Sequence, residues 1–138
     1  MRYLLDTNVI SAILKGNKTI TKKIENVLES GDDIFMSGIS YYEIKRGLMA
    51  AKAENQLKRF DYFCEEIGLI LLDTKNVFDE ASKIYANLKQ KGHPVGDADI
   101  LIASSAKLKD MIIVTNDDDF NYIEGLRKEN WSTDIETT

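Results

Sequence analysis

The chain has 138 residues, 43% hydrophobic and 30% charged, with a net charge of −5. That length carries one domain with a sizeable core, and the acidic balance argues against nucleic-acid binding driven by bulk charge. No apolar run approaches the roughly 20 residues of a membrane span, and the single cysteine, Cys64, cannot make an intrachain disulfide, so a reducing cytoplasm is expected.

In chain order, the first apolar run is Tyr3-Leu4-Leu5, a strand that stops at Asp6. Asp6 interrupts the run too early for a signal peptide. Ile20, Ile24, Val27 and Leu28 then share a helix face. Ile34–Met36 reads as the second strand. Two helical patterns follow, Tyr41, Ile44, Leu48, Ala51 and then Leu57, Phe60, Cys64, Ile67. Cys64 is expected to be a small core residue. Leu69–Leu72 reads as the third strand. Val77, Ala81, Ile84 and Leu88 are spaced as one helix face, and Ala98–Leu108 reads as a buried helix. Ile112–Val114 is the last strand-like run. Gly31, Gly68 and Gly92 stand where helices should stop. Strands alternating with helices predict an α/β domain with a parallel sheet.

In a parallel sheet all strands end at one edge, where the sites of open α/β folds lie. Acids follow the strands at that edge. Asp6 ends the first strand, Glu43 opens the helix after the second, and Asp117, Asp118 and Asp119 follow the last. Asp97 and Asp99 open the helix of Ile100, Leu101 and Ile102. Each has an ordinary structural explanation. Asp6 and Asp97 are good helix caps, Ser40-x-x-Glu43 has the form of a capping box, and Asp117–Asp119 fit an exposed turn. Asp99 is the hardest to dismiss, because a buried carboxylate needs a partner and no Arg or Lys lies near it in sequence. Together the acids would repel in a cleft. A divalent cation resolves that. All-oxygen donors suit Mg²⁺, or Mn²⁺, over zinc; the chain has one His and one Cys. A carboxylate-held Mg²⁺ is suited to phosphate-ester hydrolysis.

At these residues the chain resembles a PIN domain, and within that family the VapC toxins of type II toxin–antitoxin modules. The matching pieces are Leu4-Leu5-Asp6-Thr7-Asn8, Ser40 with Glu43 and Gly47, and Pro94-Val95-Gly96-Asp97-Ala98-Asp99-Ile100-Leu101-Ile102-Ala103. Ile113-Val114-Thr115-Asn116 with Asp119-Phe120, and Gly125-Leu126 before Glu129-Asn130-Trp131, complete the pattern. The resemblance implies one PIN domain over 1–138, with a parallel sheet of four to five strands flanked by helices. It implies a Mg²⁺-dependent endoribonuclease with Asp6, Glu43, Asp99 and Asp117 as catalytic and metal-holding acids. Asp97, Asp119, Thr7, Asn8, Thr115 and Asn116 are second choices or supports. It further implies a homodimer, a VapB-type antitoxin whose C-terminal segment covers the cleft, and an RNA substrate, with initiator tRNA suggested by the Pro-Val-Gly block and the Gly-Leu…Glu-Asn-Trp ending. In such a site water attacks phosphorus in line and leaves a 5′-phosphate and a 3′-hydroxyl. Lys15, Lys45 and Arg46 are candidate RNA contacts. Two rivals remain. A phosphatase of the haloacid dehalogenase type needs a second acid two residues after the first, where Asn8 stands. A degenerate domain that only sequesters an antitoxin would not need its acids intact.

Overall fold

A computed structural model gives the structure of residues 1–133. The acidic Asp134 and Glu136 lie outside the described residues. Elements run β1 (Arg2–Leu5), α1 (Thr7–Leu14), α2 (Lys18–Glu29), β2 (Asp33–Ser37), α3 (Gly38–Ala50), α4 (Glu54–Glu66), β3 (Gly68–Ile70), α5 (Lys75–Gln90), α6 (Asp97–Leu108) and β4 (Ile112–Val114). A 3₁₀ helix (Asp118–Tyr122) and β5 (Lys128–Glu129) follow. The strands form a parallel sheet in the order β3-β2-β1-β4-β5.

Side chains alternate between the two faces of the sheet along each strand. Tyr3, Leu5, Ile34, Met36, Ile112 and Val114 turn to one face, against α1, α2, α3 and α4. Leu4 and Ile113 turn to the other, with Ala81, Ile84 and Leu88 of α5 and Ile100, Ile102 and Ala103 of α6. Both faces of β1 are therefore covered, as parallel sheets require. Fully burying each Leu or Ile contributes roughly 1.5–3 kcal/mol. α3 bridges the layers at the strands' carboxyl edge, with Ile44 in one core and Ile39 packed on the other.

Four local expectations change. Gly68 does not stop a helix; it opens β3. A Cβ there would stand 2.4 Å from the Phe35 ring, so glycine lets β3 pair closely with β2. β3 then ends at Ile70, and Leu71 is exposed. β5 carries no apolar run, because the two residues of this edge strand are held through pairing with β4. Cys64 is only half-buried at the margin of the first core. Gly31 and Gly92 do end helices, with φ of +85° and +71°, values favourable only to glycine.

Candidate active site

β1 pairs with β2 on one side and β4 on the other. The chain's direction of winding reverses there, and the crevice above the carboxyl ends of β1 and β4 is where an open α/β sheet binds ligands. Asp6 stands at that crevice and is 2% exposed. It caps α1, with Oδ1 accepting the Thr7 N–H at 2.8 Å. Oδ2 accepts the Thr115 hydroxyl at 2.9 Å. The capping and site readings of Asp6 are thus compatible. Burial raises its pKa; the bonds from Thr115 and Thr7 lower it, and the charges of Asp117 and Glu43 raise it again.

Thr115 is fully buried after β4. It also accepts the Asp117 N–H at 3.0 Å, so one hydroxyl sets Asp6 and Asp117 relative to each other. The Asp117 carboxylate accepts the Asp119 N–H at 2.9 Å and caps the 3₁₀ helix. Asp119 is drawn aside to His93, with Oδ1 3.2 Å from Nε2.

Glu43 does not belong to a capping box. The N-cap of α3 is Ser37, whose hydroxyl accepts the Ile39 N–H at 3.1 Å. The helix starts one turn earlier than the Ser40-x-x-Glu43 spacing implies, because Gly38 and Ile39 are already helical. Ser40 and Glu43 are then free to face α1. Thr7 Oγ1 donates to Glu43 Oε1 at 2.9 Å and lies 2.8 Å from Ser40 Oγ. Ser40, fully buried, is a support that the sequence disguised as a cap.

Asp97 and Asp99 lie in the first turn of α6, whose N-cap is Gly96. Asp97 is exposed and Asp99 half-buried. The Asp99 pKa is pushed from 3.8 to about 6, by burial first and then by the charges of Asp6, Asp117, Glu43 and Asp119. Four carboxylates from β1, α3 and the turn after β4 therefore act on a fifth on α6. Asn8 and Asn116 are exposed at the same edge.

The donor chemistry suits a hard divalent cation, being all oxygen and mutually repelling. Among the described residues no three acid, His or Cys side chains are closed into a ready cage. Asp6, Glu43 and Asp117 are instead tethered separately, by Thr7, by Thr115 or by a turn N–H.

Of the basic residues, Lys15 lines a groove of about 190 Å³ that reaches Glu43, with Ser11, Leu14, Leu48 and Gln56. The Arg46 guanidinium lies 5.0 Å over the Tyr42 ring, beside Glu43 in sequence. Lys45 is committed elsewhere, to Asp61 at 3.2 Å and to the Tyr41 ring.

The PIN domain family model matches residues 3–126. The chain belongs to the PIN-domain family. Among PIN-domain relatives, it is 32% identical to ribonuclease VapC2 of Rickettsia felis, over 95% of this chain and 98% of that one. It is 30% identical to the tRNA(fMet)-specific endonuclease VapC of Shigella flexneri, over 96% and 99%. Its PIN fold matches VapBC2 of Rickettsia felis bound to a promoter DNA fragment, with a TM-score of 0.88 and 28% identity over 95% and 99% of the two chains. DNA-bound VapBC of Salmonella typhimurium matches with a TM-score of 0.85 and 27% identity over 95% and 98%.

Proposed function

We propose that the chain is a metal-dependent endoribonuclease, the toxin of a toxin–antitoxin module acting in the cytoplasm. The observation that carries this is the set of carboxylates, Asp6, Glu43, Asp99 and Asp117, brought from four separate segments to the crevice of a PIN fold. The ligand set is Asp6, Glu43, Asp99 and Asp117, with Mg²⁺ as the ion and Mn²⁺ as its substitute. Asp117 is preferred to Asp119 for two reasons. Its charge acts more strongly on Asp99, and Asp119 is engaged by His93.

A divalent cation held there would lower the pKa of an attacking water and offset charge on the phosphate. The chain's own residues do the rest. Thr115 and Thr7 fix Asp6 and Glu43, so the acids need not reorganise during the reaction. Arg46 and Lys15, on the α1–α3 rim, contact flanking phosphates. Water then attacks phosphorus in line, leaving a 5′-phosphate and a 3′-hydroxyl. RNA loops are recognised by shape and splayed bases, so a net charge of −5 is no obstacle. The relatives named for tRNA(fMet) make initiator tRNA the first substrate to test. A homodimer and a VapB-type antitoxin complete the module. The apolar groove that runs from Leu48 to Glu43 is where the antitoxin's C-terminal segment would cover the cleft.

The test is cleavage of tRNA by protein freed of antitoxin. Activity should disappear in excess EDTA and return with Mg²⁺ or Mn²⁺. Undiminished cleavage in EDTA would refute the metal mechanism.

A further inference from the structure

The β4-side rim of the cleft carries a rigid aromatic pair that the function above leaves unused. His93 lies in the loop between α5 and α6, and Tyr122 ends the 3₁₀ helix. Their rings stack with centroids 3.5 Å apart and planes inclined by 21°. Polar ties hold both residues. His93 Nε2 is bonded to Asp119 Oδ1 at 3.2 Å. Lys91 Nζ donates to the Tyr122 carbonyl at 3.1 Å and pairs with Glu124 at 3.0 Å. Yet the stack is not core. Tyr122 is 46% exposed even with the imidazole against it, and the His93 side chain is 31% exposed.

Position makes this pair informative. Asp119, which fixes the imidazole at 3.2 Å, also donates its backbone N–H to the Asp117 carboxylate at 2.9 Å. The stack therefore borders the acids. Lys91 adds a cation beside it. A flat, ordered, half-exposed aromatic surface beside a phosphodiester-cleaving cleft has the properties of a stacking platform for single-stranded nucleic acid. Every base has a π face, and aromatic platforms hold bases without reading their edges.

We propose that the His93–Tyr122 stack is a base-binding platform, on which an unpaired nucleobase flanking the scissile phosphate rests. This builds on the ribonuclease reading. The competing account is a structural latch that pins the loop before α6 to the 3₁₀ helix.

The experiment first maps the cut in wild-type protein, then places an abasic nucleotide on either side of it. Tyr122→Ala should raise KM about tenfold, with kcat and melting temperature nearly unchanged, whereas Tyr122→Phe should behave as wild type. The abasic substrate should raise KM comparably for wild type and add little further for Tyr122→Ala, since both changes remove one contact. In parallel, a short single-stranded RNA carrying 2-aminopurine is bound in EDTA. Its fluorescence should be quenched by wild type and Tyr122→Phe, and not by Tyr122→Ala. This arm reads stacking without cleavage, so it judges the platform even if no RNA is cut. Equal quenching by Tyr122→Ala and wild type would overturn the proposal. So would a fall in kcat or melting temperature with KM unchanged, which is the latch, or a change in oligomeric state or antitoxin binding with KM unchanged, which is a protein interface.

Discussion

Asp99→Asn separates the folding consequences of the acid cluster from its chemistry. The carboxyl is raised from 3.8 to about 6 by burial and by four like charges. A raised pKa means that the folded state holds the proton more tightly than the unfolded chain does. The associated stability is fully present below pH 3.8 and is lost as pH rises through about 6. At 1.36 kcal/mol for each pH decade the full effect is about 3 kcal/mol, and solvent screening of this half-exposed group reduces it to roughly 1.5 kcal/mol. Asn keeps the shape and carries no charge. In EDTA at pH 7.5 the variant should therefore melt above wild type, by about 5 °C for a chain of this size. The gain should shrink as pH falls from 7 to 5, because the wild-type carboxyl regains its proton. Ribonuclease activity should fall at least tenfold, since losing about 1.4 kcal/mol of transition-state stabilisation suffices for that. Differential scanning calorimetry across pH, paired with tRNA cleavage, measures both. A variant that melts at or below wild type at pH 7.5, or a gain that does not change between pH 7.5 and 5, would refute the electrostatic reasoning. Full activity would remove Asp99 from the site.

Two further substitutions probe the tethers. Glu43→Gln keeps an oxygen to accept the Thr7 hydroxyl but loses the charge; melting in EDTA should be unchanged or slightly raised while cleavage falls at least tenfold, and wild-type rates across a Mg²⁺ titration would count against Glu43 as a ligand. Thr115→Val removes the hydroxyl that joins Asp6 to Asp117. It leaves buried polar groups unsatisfied at a cost of about 1–3 kcal/mol, so calorimetry should find a lower melting temperature and Thr115→Ser should recover much of the loss; equal stability of the Val variant would show that the hydroxyl is dispensable.

The sequence by itself determined the layer plan. Tyr3–Leu5 and Ile112–Val114 are apolar runs too short for a helix, which makes them buried strands, and Val77, Ala81, Ile84 and Leu88 recur at the period of one helix face. Those periodicities are local, so they are legible without a fold. The acids at strand ends were legible for the same reason, because parallel topology sends every strand end to one edge. The tertiary structure decided what no local pattern encodes. Ser40-x-x-Glu43 satisfies the capping-box spacing, yet Ser37 caps α3, since a partner for Ser40 and Glu43 lies across the cleft on Thr7. Gly68 looks like a helix stop and is instead the place where β3 must clear Phe35. β5 exists only through its pairing with β4. The stacking of His93 on Tyr122 joins two segments 29 positions apart, and Asp99 acquires its raised pKa from burial and then from acids on other elements. Each of these depends on a distance through space, which a periodic pattern along the chain does not contain.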